Sequence, residues 1–227
     1  ALLLLATMGF SQSAQVSVAK NEDGMKLVVN GEDFIINGMN WDYIPIGTNT
    51  VDANFWKKSD EIIMAGLDSE MSLLKNMNVN VIRQYTGVPA KWIQYIYENY
   101  GIYTMLNHSF GRYGLTIDGV WKPNTEYSDS KTKKLLLSEV TQLAKEYKDT
   151  KGLLLFLLGN ENNYGLFWDG AETENIPVKD RKSTVRARSM YKLFNEAVVA
   201  MKAIDTNHPM AICNGDLLFL DINLADK

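Results

Sequence analysis

Apolar side chains along this chain follow two alternating patterns. Stretches with apolar residues three or four positions apart, the spacing of one helix face, alternate with short segments of strand length. The helical stretches lie at residues 60–77, 89–100, 131–148 and 190–201. The predicted strands lie at residues 38–42, 79–83, 102–106, 152–158 and 210–213. The order after residue 38 is therefore strand and helix in regular alternation, ending in a fifth strand.

This alternation is typical of a parallel sheet joined by right-handed crossovers. The run GLLLFLL at 152–158 suits a strand buried on both faces. Two architectures compete, an open doubly wound sheet and an eight-stranded barrel. No Gly-x-Gly-x-x-Gly follows any predicted strand, which weakens the dinucleotide-binding open sheet. Every predicted strand ends in polar, aromatic or charged residues, as in a barrel with its site at that end, so we expect an α/β fold of the (β/α)8 TIM barrel type.

The length of the chain limits how much of a barrel it can contain. A closed barrel takes about 250 residues, whereas this chain has 227 and offers five predicted barrel strands before Lys227. We expect residues 16–227 to form the N-terminal part of the barrel, about five of eight strand–helix units, truncated at its C-terminus. A short β-hairpin precedes it, because Asn30-Gly31 is a turn signal between two apolar runs over residues 26–38.

The first residues have the composition of a secretory signal. ALLLLATMGF is almost wholly apolar, and small polar residues follow at 11–14. The apolar run is too short for a membrane span, which needs about 20 residues. We interpret residues 1–15 as a partial signal peptide, so that the protein is exported to the periplasm, the cell surface or the medium. The alternative is a buried N-terminal strand or helix.

Composition and charge exclude several classes of protein. Hydrophobic residues make up 46% and charged residues 22%, as in globular domains. The net charge is −4 and the pI is about 5.3, so the chain lacks the basic face of a nucleic-acid binder. With Cys213 as the single cysteine and two histidines, neither a disulfide framework nor a Cys/His metal site is expected. We expect no metal or other cofactor, and no apolar run of membrane length follows the first ten residues.

Glu161 is the strongest candidate for chemistry. It follows the apolar strand at 152–158, and Asn160 stands beside it. A carboxyl group at such a mouth is partly removed from water, which favours the protonated form that can donate to a leaving oxygen. Asn160 could bind a substrate hydroxyl. The alternative is structural, with Asn160 or Asn162 capping a helix and Glu161 favouring the helix dipole.

Other polar and aromatic residues stand at predicted strand ends. Arg83 requires a carboxylate partner if it lies inside a barrel mouth, either a catalytic one or a structural one. The substrate-binding candidates are Trp41, Asp42, Tyr85, Asn107, His108, Trp168 and Asn214, together with Asp216. Each also has a structural alternative as an ion pair, a loop cap or loop packing. Exposed indoles stack on sugar faces, so the group Trp41, Trp56, Trp121 and Trp168 suggests a carbohydrate ligand, whereas Trp92 has helical core spacing.

Two other enzyme classes lack support. No Gly-x-Ser-x-Gly elbow occurs, which argues against an α/β-hydrolase. Cys213 with two histidines is a weak basis for a thiol enzyme, and no phosphate-binding loop is present.

Three stretches of sequence together resemble one known group of enzymes. Residues 34–41 (FIINGMNW) resemble the F-x-x-x-G-x-N first strand of the large clan of retaining (β/α)8 glycoside hydrolases. Residues 73–83 (LLKNMNVNVIR) resemble the L-K-x-x-x-x-N-x-I-R second strand of that clan, and residues 158–162 (LGNEN) its G-N-E fourth strand. The overall likeness is to the catalytic barrel of glycoside hydrolase family 2 over about residues 26–220, with glucanosyltransferase-like families as neighbours.

The resemblance implies a retaining double displacement on a β-linked carbohydrate. Glu161 matches the general acid/base, Asn160 the residue that contacts the sugar 2-hydroxyl, and Arg83 the arginine that supports the nucleophile. In the clan the nucleophile is a second glutamate from the seventh strand. This sequence stops before such a strand, so we expect the chain alone to be inactive or nearly so. The sandwich domains that precede the family 2 barrel also have no counterpart here.

Two other functions use the same cleft. A glucanosyltransferase-type transglycosylase keeps the carboxylates but passes the sugar to another glycan instead of water. A non-catalytic carbohydrate-binding barrel keeps the cleft and its tryptophans without turnover. The expected partner in every case is a carbohydrate.

Overall fold

A computed structural model describes residues 13–22, 24–43, 54–167 and 182–215 of the chain. These residues form ten β-strands and four α-helices. The strands are β1 (Val16–Asn21), β2 (Gly24–Val29), β3 (Glu32–Phe34), β4 (Gly38–Asn40), β5 (Val81–Tyr85), β6 (Tyr103–His108), β7 (Leu115–Ile117), β8 (Val120–Lys122), β9 (Leu153–Leu158) and β10 (Met210–Ile212). The helices are α1 (Asp60–Asn76), α2 (Ala90–Tyr100), α3 (Ser130–Tyr147) and α4 (Lys182–Lys202).

The central sheet has five parallel strands in the order β4-β5-β6-β9-β10. Their order in space is their order in the chain, and α1, α2, α3 and α4 connect them in turn. A doubly wound sheet would reverse its strand order at a switch point. The α/β class and the five parallel strands are therefore confirmed, and the sequential order is compatible with part of a (β/α)8 barrel.

The N-terminal segment forms a small antiparallel sheet with the order β1-β2-β3. The turn between β2 and β3 is the expected one, with left-handed backbone at Asn30 (φ 51°) and Gly31 (φ 90°). Strand β1 was not expected. Ala14 is buried, and the backbone N–H of Asn30 donates to the carbonyl of Gln15 at 2.9 Å. Residues 14 and 15, which the sequence assigned to the signal peptide, thus take part in the fold.

Residues suited to capping mark where helices begin and end. Gly101 adopts the left-handed conformation (φ 70°) after α2, and its N–H donates to the carbonyl of Tyr97. Before α3, the Asp129 carboxylate accepts from the N–H of Thr132 at 2.8 Å. Each helix presents an apolar stripe to the sheet, as its spacing predicted.

Two apolar clusters lie on opposite faces of the parallel sheet. On the helix side, Ile82, Leu106 and Phe156 pack against the helices. On the other side, Val81, Tyr103 and Leu155 pack against Val16 and Val29 of the small sheet. The alternation of side chains along each strand sends neighbouring residues to opposite clusters.

The small sheet covers the amino ends of the parallel strands. The ring of Phe34 lies 5.4 Å from that of Tyr103, edge to face, at the start of β6. The N–H of Val16 donates to the carbonyl of Asn207, in the loop before β10, at 2.8 Å. The carboxyl ends, where the candidate residues stand, are at the other end of the sheet.

Two sequence predictions about single elements were wrong. Residues 38–42 were expected to be a buried strand, but β4 is three residues long and exposed because it lies at the edge of the described sheet. Residues 109–129 were expected to be loop, but they contain the antiparallel hairpin of β7 and β8. Within the described ranges, no helix combines the length and apolar character that crossing a membrane requires.

Candidate active site

Side chains from four parallel strands meet around the guanidinium group of Arg83. Arg83 Nε lies 2.7 Å from Asn107 Oδ1, to which Nη2 also donates. Nη2 lies 2.8 Å from Asn160 Oδ1, just after β9, and Nη1 lies 3.5 Å from Asn40 Oδ1 on β4. We call Arg83, Asn40, Asn107 and Asn160 the Arg83 cluster. Arg83 is at the middle of β5, Asn40 and Asn107 are at or near the ends of β4 and β6, and Asn160 follows β9. The fold therefore brings all four towards the carboxyl end of the sheet.

The chemistry of arginine fixes the orientation of the two amides. A guanidinium group only donates hydrogen bonds, so the atoms facing it must be the amide oxygens. The NH₂ group of Asn107 then donates to the carbonyl of Gly159 at 3.0 Å. The NH₂ group of Asn160 donates to the hydroxyl of Tyr113 at 2.7 Å. Arg83 thus donates to both amides, and each amide donates in turn to a further oxygen atom.

Two tyrosines extend these hydrogen bonds towards solvent. The hydroxyl of Tyr85, at the end of β5, lies 3.3 Å from that of Tyr113. The guanidinium carbon of Arg83 lies 5.4 Å from the centroid of the Tyr85 ring. Burial and, second, the hydrogen bond to Tyr113 raise the pKa of Tyr85 to about 12. The Tyr85 hydroxyl therefore stays protonated and able to donate at neutral pH.

The turn after β9 is held by Asn162. Its Oδ1 accepts from the N–H of Asn160 at 2.6 Å, and its NH₂ donates to the Phe110 carbonyl and the Tyr127 hydroxyl. Burial raises the pKa of Tyr127 to about 12, so its hydroxyl also stays neutral. Gly159 has φ 82°, and a Cβ there would lie 2.7 Å from Asn162 Oδ1 and 3.0 Å from the Phe194 ring. A glycine is thus required for the turn that presents residues 160 and 161.

Glu161 lies at the tip of that turn. It is half-buried, and its backbone is left-handed with φ 58°, an uncommon conformation for a residue other than glycine. Its N–H donates to the carbonyl of Cys213 at 2.8 Å, which ties the turn to β10. Among the described residues, no side chain forms a hydrogen bond or an ion pair with the Glu161 carboxylate. A backbone hydrogen bond holds the residue in place, and its carboxylate oxygens are left to accept hydrogen bonds from a ligand.

The helix-capping alternative finds no support in this geometry. A 3₁₀ helix, Asn162–Phe167, does follow Glu161. However, Asn160 Oδ1 accepts from Arg83, and Asn162 Oδ1 accepts from the N–H of Asn160 instead of one inside that helix. Both amides bind groups of the site and of the preceding turn.

His108 and Trp41 do not lie with the Arg83 cluster. His108 Nε2 lies 3.3 Å from Glu139 on α3, because His108 follows Asn107 on β6 and so faces the helices. Trp41 follows Asn40 and turns to the helix side for the same reason. Only 7% of it is exposed, and its ring packs with those of Tyr43, Phe55 and Trp56. The expectation that both residues line the mouth is corrected accordingly.

The remaining candidates are scattered. Asp42 is exposed, and no described group bonds its carboxylate. Asn214, after β10, accepts from the Tyr191 hydroxyl at 3.1 Å. Trp168 and Asp216 lie outside the described residues. Of the tryptophans expected around one face, Trp56 packs with Trp41, whereas Trp121 on β8 is 58% exposed.

The sequence did not single out Tyr113 and Asn40 as site residues, and it predicted the wrong kind of partner for Arg83. Tyr113 carried no signal, because it lies in a loop and its partner is distant in sequence. Asn40 stands in the first-strand motif, and its place two residues after Gly38 was the available signal. Arg83 was expected to pair with a carboxylate, but in the described residues its partners are amide oxygens.

The described residues also contain no group of three His, Cys, Asp or Glu side chains that could hold a metal ion. Cys213 is free and half-buried beside the Glu161 turn. At this end of the sheet the described side chains supply a carboxyl group, a guanidinium group, amides, phenols and the thiol of Cys213.

Comparison with known proteins gives structural matches only. No family model and no curated protein sequence matches the chain. The β-glucuronidase of Parabacteroides merdae, solved with glycerol in its active site, is 16% identical with a TM-score of 0.55, covering 87% of this chain and 20% of that one. Bacteroides uniformis β-glucuronidase 2 is 13% identical with a TM-score of 0.62, covering 94% and 22%. The Amycolatopsis orientalis exo-chitosanase is 15% identical with a TM-score of 0.50, covering 87% and 19%.

These matches concern the fold. The chain spans 20% to 29% of the length of the first β-glucuronidases it matches. At these identities the likeness shows that the chain has the fold of part of such glycosidases. The resemblance to glycoside hydrolases that the three motifs indicated is thus confirmed at the level of the fold.

Proposed function

We propose that this chain is the N-terminal part of the catalytic barrel of a retaining β-glycoside hydrolase, with Glu161 as the general acid/base. The observation that carries the proposal is the 2.8 Å hydrogen bond from Arg83 to Asn160, which joins two motifs 77 residues apart. Beside Asn160, Glu161 presents a carboxyl group that no described side chain engages. The glycosidase fold of the structural matches supports a β-linked oligo- or polysaccharide as the substrate class.

The proposed reaction has two displacements. The protonated Glu161 gives its proton to the glycosidic oxygen while a second carboxylate attacks the anomeric carbon, so the bond to the leaving group breaks and a glycosyl ester forms. Glu161 then takes a proton from water, whose oxygen attacks the same carbon and releases the second carboxylate. Two inversions give net retention. The second carboxylate would stand about 5–5.5 Å from the first.

Arg83 and Asn160 have supporting roles in this proposal. The fold gives the guanidinium group three neutral amide partners. A half-buried cation without a carboxylate among the described residues is suited to hold the second carboxylate ionised. Asn160 keeps hydrogen-bonding capacity for the sugar 2-hydroxyl. We propose that the second carboxylate comes from outside the described residues, so that this chain alone is inactive or nearly so.

The test is Glu161→Gln in the complete enzyme. Loss of a positioned general acid/base costs about 10² to 10⁴ in rate. We expect a loss of that size on glycosides with poor leaving groups and a smaller one on dinitrophenyl glycosides, whose leaving group needs little protonation. Added azide, which needs no general base, should restore turnover. The matched control is Glu98→Gln, which removes a carboxylate paired with Lys151 on the surface.

The same preparation separates the alternative functions. Unchanged glycosidase activity in Glu161→Gln would refute the acid/base role. Products longer than the substrate would indicate a transglycosylase that uses the same residue. Oligosaccharide binding without turnover by the unmodified enzyme would indicate a carbohydrate-binding barrel.

A further inference from the structure

Tyr113 is an exposed residue whose hydroxyl reaches the Arg83 cluster. It lies in the loop between β6 and β7, with its oxygen 2.7 Å from Asn160 Nδ2 and 3.3 Å from the Tyr85 hydroxyl. The guanidinium carbon of Arg112 lies 5.6 Å from the centroid of its ring. More than half of its surface faces solvent. Its polar end is therefore fixed although its ring contributes little to the core.

The Asn160 amide has a limited number of bonds to share. An amide offers two N–H donors and one oxygen with two lone pairs. Arg83 uses the oxygen, and Tyr113 accepts from one N–H. The second N–H and one lone pair are left for a ligand, and Arg83 and Tyr113 together set the plane in which they point.

We propose that Tyr113 is a positioning residue that aims the second N–H of Asn160 at the sugar 2-hydroxyl. The proposal rests on the proposed function, because it requires Asn160 to contact the substrate. Arg83 by itself forms a hydrogen bond only with the amide oxygen. Tyr113 holds the nitrogen side, so that the two contacts together remove rotation about the terminal bond of the side chain.

The test measures how much the sugar 2-hydroxyl contributes to kcat/KM. The complete enzyme is assayed with 4-nitrophenyl β-D-glucoside, β-D-galactoside and β-D-glucuronide, and then with the 2-deoxy form of the sugar that is cleaved fastest. The variants are Tyr113→Phe, Asn160→Ala and the double variant. We expect Tyr113→Phe to lower kcat/KM on the natural sugar about fivefold to tenfold, the effect of one hydrogen bond.

The ratio between the two substrates separates positioning from a structural role. In Tyr113→Phe the preference for the 2-hydroxyl sugar should fall by about the same factor, with an unchanged melting temperature. In the Asn160→Ala background the tyrosine substitution should have no further effect, because Tyr113 acts through Asn160. The matched control is Tyr95→Phe, which removes a hydroxyl bonded to Asp68 on the surface and should leave the ratio unchanged.

Two outcomes would overturn the proposal in different ways. If Asn160→Ala removes the 2-hydroxyl preference but Tyr113→Phe leaves it intact, or acts equally in the double variant, then Tyr113 does not position Asn160 and the proposed function stands. If Asn160→Ala leaves the preference intact, or none of the glycosides is turned over, the proposed function fails and the role of Tyr113 falls with it.

Discussion

The two ends of the parallel sheet are built from the same strands and yet have opposite character. At the amino end, Val81 and Tyr103 are buried beneath Val16 and Val29 of the small sheet. Two and four residues further along the same face of those strands stand Arg83 and Asn107, which belong to the Arg83 cluster. Asn107 itself is fully buried and bonds Arg83 and the Gly159 carbonyl, so its expected role as a substrate-binding residue is corrected to one of holding Arg83. The change from apolar to polar takes two residues on β5 and four on β6.

Polar groups at the two ends also differ in what they bind. At the amino end, the Asn80 amide is used on both sides, since its oxygen accepts from the N–H of Asn37 and its NH₂ donates to the carbonyl of Ile35, each at 2.8 Å. At the carboxyl end, by contrast, no described side chain engages the carboxylate of Glu161. A closed end whose groups bond one another serves stability, whereas an end with remaining capacity is suited to a ligand.

The largest expected effect is at the amino end. Tyr103→Ala removes a buried ring that contacts Phe34 and Tyr97, and such truncations cost about 3–5 kcal/mol of unfolding free energy. Urea denaturation of the complete protein measures this loss. Catalytic constants should change little at a temperature where the variant is folded.

The matched substitution at the other end is Arg83→Met. It should lower kcat/KM at least about a hundredfold, because it removes the donor that orients two amides, and it should cost less stability than Tyr103→Ala. Equal stability losses at both ends, with similar activities, would contradict the division of roles between them.

Much of the fold could be predicted because it rests on local signals. The apolar run at 152–158, the helical stripes and the Asn30-Gly31 turn each contain their own information. Strand β1 was missed because the segment VSVAKN is short and is completed only by pairing with β2. The β7–β8 hairpin was missed because its strands have only three residues each, although Asp118-Gly119 between them is a two-residue turn signal of the same kind as Asn30-Gly31.

The site was predictable in part for a similar reason. Arg83, Asn107 and Asn160 lie among the last three residues of a strand or just after it, and that position is readable from the sequence. Which face a residue occupies depends on the register, so Asn107 and His108, adjacent in sequence, point to opposite sides. Tyr113 depends on the path of a loop, which no periodicity encodes.

A smaller effect is expected at the buried pair of Asp205 and His208, in the loop that leads into β10. His208 Nδ1 lies 2.7 Å from Asp205 Oδ2, and the N–H groups of Asn207 and His208 also donate to the carboxylate. Burial by itself raises the pKa of Asp205, but these hydrogen bonds outweigh it and hold the pKa below its ordinary value. Asp205→Asn should cost about 1–2 kcal/mol near neutral pH.

The pH dependence of stability gives the sharper measurement. With a folded-state pKa below the unfolded one, the Asp205 carboxylate stabilises the fold above its ordinary pKa, about 3.9. That contribution is lost as the pH falls through the folded-state value. The unfolding free energy should therefore fall less steeply in acid for Asp205→Asn than for the unmodified protein. A slope in Asp205→Asn identical to that of the unmodified protein would contradict the assignment.

The smallest expected effect is at Trp121, at the carboxyl end. Its indole lies against Gly114, where a Cβ would stand 2.6 Å from Trp121 Cζ2, and 58% of the residue is exposed. Gly114 directly follows Tyr113, so the loop that carries Tyr113 also supports this indole. An indole that rests against backbone and is more than half exposed is suited to stack on a sugar ring, an interaction of about 1 kcal/mol.

Trp121→Ala therefore tests whether aromatic residues at the two ends of the sheet have different roles. We expect KM for an oligosaccharide to rise about fivefold while kcat/KM for a 4-nitrophenyl monoglycoside and the unfolding free energy stay nearly unchanged. Steady-state kinetics on both substrates and a urea titration measure the three quantities. A loss of stability comparable to that of Tyr103→Ala would place Trp121 in the packing of the complete protein instead of in its ligand site. A rise in KM without a loss of stability would show that this exposed aromatic residue binds ligand, whereas the buried aromatic residues at the amino end stabilise the fold.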